Sequence, residues 1–440
     1  MAALLASAIR ASRPCASRSA RLLTQAPKPH HLFRGFATSL AEDSNGLILR
    51  TGASGESTEK RLDNCLCEKC VNQATLQRNF NTFDVPADIA PTSIREHEKG
   101  VDVTWSDSHE STYTWTWLQS ALHGSQRKEL RGLHAVRLWN SDIAKDPPKV
   151  LYDAVMDQDN IKGMADLTNK IVSSNAARLT PQISKLIPMQ REQGFCFVTN
   201  SPITPEATEK LLEAIGPIRN THYGGFYDFE PDLAKADTAY TNLALAAHTD
   251  TTYFTEPAGL QAFHMLSHTP PPDQIALGGK SLLVDGFYAA HRMRIEFPSA
   301  YEVLRTIRVP WHASGNQDVA ISPDRAYPVL DASPKRINRV RWNNDDRGAV
   351  PLHVSNIDEW YDAARKWDTI LRRRRNEYWF QLEPGQILIF DNWRILHGRS
   401  AFQGRRRVCG GYINRDDFVS RWQLSNFPRD EVIAANMQRK

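Results

Sequence analysis

Two residues of metal-binding type stand one residue apart in the segment 246-AAHTDTTYFTEP-257. An extended chain points alternate side chains to the same face, so His248 and Asp250 could occupy two adjacent positions around one metal ion. On its own, such a pair is more often a polar patch in a strand. Whether it belongs to a metal site therefore depends on ligands elsewhere in the chain.

A third ligand candidate is His397, in the segment 391-DNWRILHGR-399. The strand pattern before it ends near Asp391, so we predict that a turn presents His397. Two histidines and one carboxylate that leave three coordination positions open are the facial triad of non-haem Fe(II) oxygenases. The motifs H-x-D, G-G-x-S and H-G occur in this order along the chain, and the combination is more specific than any single motif. It predicts an iron site formed by His248, Asp250 and His397.

The open coordination positions require a co-substrate, and a 2-oxo acid can chelate iron through its keto oxygen and one carboxylate. Its far carboxylate needs a fork of donors, which arginine provides. Arg406 follows His397 by nine residues, and Ser281 in 278-GGKSLLVDG-286 offers a hydroxyl to the same carboxylate. Arginines on both sides of Arg406 leave the register open, but strand alternation favours Arg406 as the residue that points inward.

Three cysteines are clustered in 63-DNCLCEKCVNQ-73, and a histidine follows 39 residues after the last of them. Three thiolates and one imidazole make a closed tetrahedral zinc site, which is structural because no position is left for water. The alternative is a group of reduced surface cysteines. The candidate zinc ligands are Cys65, Cys67, Cys70 and His109. Of the remaining cysteines, Cys15 lies in the basic N-terminal segment, and Cys196 and Cys409 are predicted to be buried thiols.

Positive charge is concentrated at the N-terminus. The chain of 440 residues has a formal net charge of +4, yet residues 1–41 alone hold six Lys and Arg side chains and no acid. With its many Ser and Ala residues, this segment is typical of a mitochondrial transit peptide and predicts location in the mitochondrial matrix; the alternative is a disordered basic tail. The rest of the chain has no basic excess, so nucleic-acid binding is not expected. No apolar run is long enough to predict a transmembrane helix.

The elements that must position these residues follow from hydrophobic periodicity. Short alternating segments predict strands between 61 and 118, and helix-forming residues predominate from 146 to 186. Thr204 is the predicted N-cap of a further helix. From 238 onward apolar strands predominate, interrupted by one helix over about 355–376. Many separated strands with flanking helices favour a β-barrel or jelly-roll core.

Longer motifs resemble the γ-butyrobetaine/trimethyllysine dioxygenase family. They are 237-DTAYTNLAL-245, 248-HTDTTYFTEPAG-259, 279-GKSLLVDGFYAA-290, 391-DNWRILHGR-399 and 409-CGGYINRDD-417, and the likeness covers about 61–120 and 190–420. The resemblance implies a double-stranded β-helix core, Fe(II), 2-oxoglutarate, O2, ascorbate-supported turnover and a homodimer that the zinc domain assists. It also implies that His248, Asp250 and His397 bind iron, that the cysteine cluster with His109 binds zinc, and that Arg406 binds 2-oxoglutarate.

The domain organisation expected on this basis is a mainly β chain with helices. A jelly-roll catalytic core follows a small N-terminal zinc-binding β domain. The predicted parts are a transit peptide (1–41), the zinc-binding β domain (42–120), a helical linker region (121–189) and an Fe(II)/2-oxoglutarate dioxygenase domain (190–430).

Tyrosines are frequent in 222-HYGGFYDFEPDLAKADTAYT-241. A quaternary ammonium cannot donate hydrogen bonds and is recognised by aromatic faces. The alternative is that these rings only pack in the core. The resemblance implies an aromatic cage made by Tyr223, Tyr227, Tyr240 and Tyr412, with Tyr at 227 where the family commonly has Trp.

Asp237 separates the two branches of the family. Butyrobetaine ends in a carboxylate alone, whereas trimethyllysine carries an α-ammonium beside its carboxylate. The butyrobetaine enzymes have Asn at the position of Asp237. An anion there repels the carboxylate of butyrobetaine and can pair with the α-ammonium of trimethyllysine. Asn343 can donate to the substrate carboxylate. We therefore expect C3 hydroxylation of N6-trimethyllysine, a trimethylammonium amino acid, as the first step of carnitine biosynthesis.

Three alternatives stay open on the sequence alone. One is a γ-butyrobetaine dioxygenase that forms carnitine, and another is a hydroxylase of unrelated amine or sulfonate substrates. The third is a non-catalytic interaction protein stabilised by zinc, against which the intact triad and the arginine argue.

Replacement of Asp237 by asparagine removes the predicted anion and keeps its size. We expect Asp237→Asn to lower kcat/KM for trimethyllysine at least about tenfold more than for γ-butyrobetaine, because only trimethyllysine has an α-ammonium. Kinetics with both substrates measure this difference. Equal losses on both would contradict the role of Asp237.

Overall fold

The computed structural model of the protein describes residues 38–43, 46–51, 57–60, 65–115, 136–172, 193–230, 241–272, 278–315, 318–333, 336–351 and 357–436. The chain divides into two compact units. One comprises Met1–Gln126 with Ile433–Lys440, and the other comprises Arg127–Val432. The four-part division expected from the sequence stays a prediction.

The described part of the first unit contains two small antiparallel sheets. One contains β1 (Thr38–Asp43), β2 (Gly46–Thr51) and β3 (Ser57–Lys60), and the other contains β4 (Pro91–His97), β5 (Gly100–Trp105) and β6 (Glu110–Thr114). In β5 the alternate residues Val101, Val103 and Trp105 are buried, and they pack against Cys65 and Cys70. The period-2 pattern thus gives this sheet one buried face, which covers the cysteine cluster.

Twelve further strands and eight helices occur in the rest of the described chain. The strands are β7 (Lys149–Leu151), β8 (Phe195–Thr199), β9 (Tyr227–Phe229), β10 (Leu245–His248), β11 (Leu260–Thr269), β12 (Ser281–Asp285), β13 (Leu330–Ser333), β14 (Arg336–Val340), β15 (Tyr378–Phe380), β16 (Ile387–Asp391), β17 (Ile395–Arg399) and β18 (Arg405–Ile413). The helices are α1 (Tyr152–Met156), α2 (Lys162–Ile171), α3 (Pro205–Ile215), α4 (Gly286–Glu296), α5 (Pro298–Thr306), α6 (Ile357–Leu371), α7 (Arg415–Asn426) and α8 (Arg429–Asn436). Short 3-10 helices occur at Thr82–Asp84 and Ser141–Lys145.

Two large sheets face each other in the second unit. The strand order is β7-β8-β16-β11-β18-β9 in one and β10-β17-β12-β15 in the other, and a hairpin pairs β13 with β14. Apart from the parallel pair β7–β8, the strand pairs of the two large sheets are antiparallel. One buried cluster takes side chains from both sheets, among them Phe195, Met265, Leu283, Phe390 and Ile395. The layer between the sheets is therefore a shared apolar core.

Helices cover the outer faces of both sheets. In β8, Phe195 and Phe197 point to the layer between the sheets, whereas Cys196 and Val198 pack with residues of α2, α3 and α7. On the other side, outward residues of β12 and β17 pack with α4, α5 and α6. Strands buried on both faces read as unbroken apolar runs, which is the pattern seen in the sequence.

A buried ion pair fixes the turn between β16 and β17. Arg394 donates to both oxygens of Asp285, through Nε at 3.0 Å and Nη2 at 2.7 Å, and both side chains are fully buried. Oδ1 of Asp285 also accepts the backbone N–H groups of Phe287 and Tyr288, which caps α4. The pair therefore fixes the start of β17 relative to β12 and α4.

Several expectations can be compared with the structure directly. The N-cap role of Thr204 is confirmed, since its hydroxyl accepts from the N–H of Ala207. Cys196 and Cys409 are buried, as predicted. The helix expected over 355–376 is α6, which ends at Leu371. The described chain has mixed helix and sheet content, with helices on the outer faces of both large sheets. None of the helices in the described ranges combines the length and apolar character needed to cross a membrane.

Candidate metal centre and its pocket

The two histidines of the predicted triad lie opposite each other on antiparallel strands. β10 pairs with β17, and His248 is the register partner of His397. Their ring centroids are 4.3 Å apart. His397 lies in the middle of β17 and not on a turn, so that prediction was wrong; the turn occupies only residues 392–394. A strand position sets the direction of the side chain more firmly than a turn would.

The carboxylate of Asp250 converges with both imidazoles, although β10 ends at His248 and Asp250 lies on the following loop. Its Oδ1 is 3.2 Å from Nε2 of His248 and 3.7 Å from Nε2 of His397. One ligand atom from each residue lies within 4.8 Å of the others. Oδ2 accepts hydrogen bonds from Gln261 Nε2 at 2.5 Å and Tyr412 OH at 2.8 Å, so Oδ1 is the oxygen directed at the imidazoles.

The donor set fits a metal ion. Nδ1 of His248 lies 2.7 Å from the backbone oxygen of Ala246, which can only accept, so Nδ1 carries the proton. Nε2 then presents a lone pair toward the Asp250 carboxylate at 3.2 Å. Two electron-pair donors at this distance repel each other unless a proton or a metal cation lies between them. A backbone acceptor that fixes the ligating tautomer is the usual support for a metal-bound histidine.

Burial and neighbouring charge set the protonation states of the triad. Burial lowers the pKa of His248, but the hydrogen bond and charge of Asp250 raise it overall above its usual value. Burial and the adjacent His248 lower the pKa of His397 to about 3. Burial acts to raise the pKa of Asp250, yet the two imidazoles and Tyr412 hold it well below its usual range. At neutral pH His397 is therefore neutral and Asp250 ionised, as metal coordination requires.

Asn392 holds the loop that carries Asp250. Its Oδ1 accepts from the backbone N–H of Asp250 at 2.8 Å, and its Nδ2 donates to the backbone oxygens of Asp250 at 2.9 Å and Ala258 at 3.0 Å. Thr251 has φ +58°, an uncommon conformation for a β-branched residue. Its hydroxyl donates to the Asp250 carbonyl and accepts from the N–H of Ala258. These contacts stabilise a strained backbone next to the ligand.

Strand alternation separates three consecutive arginines at the start of β18. Arg405 and Arg407 point outward, where they form ion pairs with Glu230 at 2.8 Å and Asp228 at 2.5 Å. Arg406 is only 6% exposed and lines the pocket of the triad. Burial and the neighbouring Arg399 lower the pKa of Arg406 to about 9, so its guanidinium is charged at neutral pH and gains from a bound anion. The register predicted for Arg406 is the one that the structure has.

Ser281 lines the same pocket, at the start of β12. It is the register partner of Arg399 on β17, the strand that carries His397. The donors proposed for a 2-oxo acid thus lie on strands of the two facing sheets, around one cavity with the triad.

Aromatic rings form another part of the pocket wall. Tyr223, Tyr227 and Tyr412 all line it, and the rings of Tyr227 and Tyr412 are 5.8 Å apart in an edge arrangement. The hydroxyl of Tyr227 donates to the Ala262 carbonyl at 2.8 Å. Burial and the charge of Asp250 raise the pKa of Tyr412 well above its usual value, so Tyr412 stays a donor to that carboxylate. Of the other predicted substrate residues, Asn343 lines the pocket, whereas Asp237 and Tyr240 lie outside the described residues.

Several contributors to the site were missed at the level of the sequence. Gln261 and Asn392 hold Asp250, and Tyr253 and Asp346 line the pocket. Gln261 was indistinguishable from an ordinary polar residue in β11. Tyr253 stands in the motif that begins at His248, and this was the only signal that could have singled it out.

The cysteine cluster of the first unit also converges. Nε2 of His109 lies 3.4 Å from Sγ of Cys65, 3.7 Å from Sγ of Cys67 and 3.4 Å from Sγ of Cys70. The cysteines lie on a turn in which the N–H of Cys70 donates to the carbonyl of Cys67, and the β5–β6 hairpin presents His109. One ligand atom from each residue lies within 4.8 Å of the others, which is compatible with zinc.

Comparisons with known proteins agree with this geometry. Residues 166–412 match the family model "Taurine catabolism dioxygenase TauD, TfdA family", and residues 57–119 match "Gamma-butyrobetaine hydroxylase-like, N-terminal". The fold and the His-Asp-His site therefore define an iron- and 2-oxoglutarate-type dioxygenase.

Curated relatives identify the family within this class of dioxygenases. Trimethyllysine dioxygenase of Neurospora crassa is 53% identical over 402 residues, covering 84% of this chain and 80% of the relative. Trimethyllysine dioxygenase of Meyerozyma guilliermondii is 39% identical, covering 85% and 91%. The human protein, named trimethyllysine dioxygenase, mitochondrial, is 36% identical, covering 82% and 80%. The chain belongs to the trimethyllysine dioxygenase family.

The three arginines of β18 provide a matched test of the co-substrate site. We expect Arg406→Met to raise KM for 2-oxoglutarate and to lower kcat/KM at least about 100-fold, because a buried charge-assisted pair is lost. Arg405→Met and Arg407→Met, which remove outward guanidinium groups, should stay within about twofold of the wild type, as expected for exposed ion pairs. Steady-state kinetics at varied 2-oxoglutarate measure all three. Similar losses in the three variants would contradict the assignment.

Proposed function

We propose that this protein hydroxylates N6,N6,N6-trimethyllysine at C3, the first step of carnitine biosynthesis. The observation that carries the proposal is a single pocket in which a His-Asp-His triad, a buried arginine and a tyrosine wall come together. In the reaction, 2-oxoglutarate and O2 become succinate and CO2, and one oxygen atom is inserted into the C3–H bond of the substrate.

Fe(II) would be held by Nε2 of His248, Oδ1 of Asp250 and Nε2 of His397, the atoms that face one another. Bound there, iron supplies the activation of O2 at the expense of 2-oxoglutarate. The chain itself orients the ligands. Ala246 fixes the tautomer of His248, and Gln261 and Tyr412 occupy the second oxygen of Asp250.

The far carboxylate of 2-oxoglutarate would be bound by Arg406, with the hydroxyl of Ser281 as a further donor. Burial makes this pair strong, because the carboxylate and the guanidinium meet away from water. Ascorbate, which keeps iron reduced in this class, is proposed as an additional requirement for sustained turnover.

The trimethylammonium group would contact the ring faces of Tyr223, Tyr227 and Tyr412, with Tyr240 as the fourth member of the cage. Each face contributes on the order of 0.5–2 kcal/mol to binding of a desolvated quaternary ammonium. A tyrosine at 227 offers a smaller ring than Trp. This arrangement holds the far end of the substrate and places one C–H bond beside the iron site.

Asp237 and Asn343 are proposed to bind the α-ammonium and the carboxylate of trimethyllysine. The relatives at 36–53% identity carry the name trimethyllysine dioxygenase, which favours this substrate over γ-butyrobetaine. Asn343 is supported by its place on the pocket wall.

The remaining architecture is proposed on the same basis. Apart from β7, the strands of the two facing sheets lie within residues 190–430, the proposed double-stranded β-helix core. A helical linker region (121–189) and a zinc-binding β domain (42–120) are proposed to precede it. Residues 1–41 are proposed to direct the protein to the mitochondrial matrix, in line with the human relative named mitochondrial. Zinc on the cysteine cluster would stabilise the first domain and assist a homodimer.

Incubation of the purified protein with Fe(II), ascorbate, 2-oxoglutarate and each candidate substrate tests the proposed reaction. We expect trimethyllysine to gain the mass of one oxygen atom, and γ-butyrobetaine to gain little or none. His248→Ala should abolish both hydroxylation and coupled 2-oxoglutarate decarboxylation, because a ligand is lost. Turnover by His248→Ala with normal iron content would contradict the ligand assignment, and preferential turnover of γ-butyrobetaine would contradict the substrate.

Elemental analysis tests the proposed zinc site. We expect one zinc per chain in the wild type and little zinc in Cys65→Ser. Loss of metal-coupled folding should lower the melting temperature of the first unit by about 10 °C or more. Cys196→Ala, which changes a buried thiol outside the cluster, should keep its zinc. Iron without zinc in the wild type would contradict the site.

A further inference from the structure

A second carboxylate, that of Asp346, lines the pocket of the triad. Among the described residues that line this pocket, the acidic ones are Asp250 and Asp346, and Asp250 belongs to the triad. Asp346 is half-buried, and its Oδ2 accepts a hydrogen bond from the hydroxyl of Thr252 at 2.7 Å. None of the roles proposed above uses Asp346.

Asn343 lies three residues before Asp346 on the same loop and lines the same pocket. Its Oδ1 accepts from the backbone N–H of Asp345 at 3.1 Å, so the NH2 end of the amide is the part that can donate to a ligand. An α-amino acid presents an ammonium and a carboxylate on one carbon atom. A donor amide and an acceptor carboxylate on one short loop are complementary to that pair.

Hydrogen bonds tie this loop to the loop of the triad. The N–H of Thr249 donates to the Trp342 carbonyl at 2.8 Å, and the N–H of Trp342 donates to the Thr249 hydroxyl at 3.0 Å. Arg341 is only 2% exposed, and its guanidinium donates to the carbonyls of Thr252, Phe254 and Thr255. The loop of Asn343 and Asp346 is thus held at a defined position relative to Asp250.

C3 hydroxylation brings the α-ammonium of the substrate close to the metal. C3 is bonded directly to the α-carbon, so the α-ammonium nitrogen is only two bonds from the carbon that is oxidised. A group that binds this ammonium must therefore lie beside the triad, whereas the trimethylammonium group lies farther along the chain. Asp346 meets this condition, because it shares the pocket wall with His248 and is bound to the residue two positions after Asp250.

We propose that Asp346 binds the α-ammonium of the substrate and, with Asn343, selects an α-amino acid over a trimethylammonium carboxylate that lacks the amine. The inference rests on the proposed function and adds a specificity residue to it. Asp237, which lies outside the described residues, is proposed for the same ammonium, and an ammonium with three N–H donors can pair with both carboxylates. A carboxylate in this position attracts the zwitterion and disfavours a ligand whose only nearby charge is negative.

Asp346→Asn tests this role, because the amide oxygen can still accept from Thr252 while the charge is lost. The two substrates are trimethyllysine and 6-(trimethylammonio)hexanoate, which differ only in the α-amine. We expect the ratio of their kcat/KM values to fall at least about 20-fold in Asp346→Asn. Calorimetry with the Mn(II)- and 2-oxoglutarate-loaded protein should show the same selective loss in affinity for trimethyllysine.

The matched control is Asp345→Asn, which removes the same charge from an exposed neighbouring side chain. In Asp345→Asn the ratio of kcat/KM for trimethyllysine to kcat/KM for 6-(trimethylammonio)hexanoate should stay within about twofold of the wild-type ratio. If Asp346→Asn does not fold, Thr252→Val keeps the carboxylate but removes the hydroxyl that orients it. The ratio should then fall by an intermediate amount, and an unchanged ratio overturns the inference.

The outcomes separate the two levels of the proposal. A wild type that leaves trimethyllysine unmodified overturns the proposed function and this inference with it. A wild type that hydroxylates trimethyllysine, together with equal losses on both substrates in Asp346→Asn, overturns the role of Asp346 alone. Equal losses would indicate that Asp346 only supports the loop through Thr252.

Discussion

The antiparallel register that places His248 opposite His397 is the constraint on which the rest of the site depends. Successive side chains of a strand point to opposite faces of the sheet. A slip of β10 by one residue would therefore turn His248 away from the pocket. Because β17 also pairs with β12, the same strand that carries His397 fixes Ser281. The buried pair of Arg394 and Asp285 holds the start of β17 in place. One register thus positions two residues of the triad and Ser281, the proposed donor to the co-substrate.

Asp250 comes from a loop, and its position therefore needs separate support. Asn392 supplies it by pairing with the backbone of Asp250 as a neighbouring strand would. Tyr412 adds a contact from β18, and its ring belongs to the aromatic wall while its hydroxyl binds the ligand carboxylate. One side chain consequently contributes both to the aromatic wall and to the support of Asp250.

Opposite charges are kept on different elements of the pocket. The buried cation Arg406 and its neighbour Arg399 come from β18 and β17, whereas Asp346 comes from the loop after β14. In the proposed function, separation of this kind would let a dianionic co-substrate and a substrate with two positive charges bind at different places in one cavity. Burial strengthens both interactions, since a carboxylate or an ammonium that leaves water gains more from a fixed counter-charge.

The sequence by itself determined which residues were candidates: residue types and spacing indicated the His-Asp-His triad, Arg406 and the cluster of three cysteines and His109, and longer motifs carried the resemblance to the family. Strand alternation also favoured Arg406 among three adjacent arginines, because the period of a strand is a local property of the chain. The tertiary structure decided what local patterns cannot encode. Gln261, Asn392 and Asp346 reach the site through pairings between distant segments, and their residue types are common everywhere in a chain. His397 was misplaced on a turn because a three-residue turn between two apolar strands leaves little trace in hydrophobic periodicity.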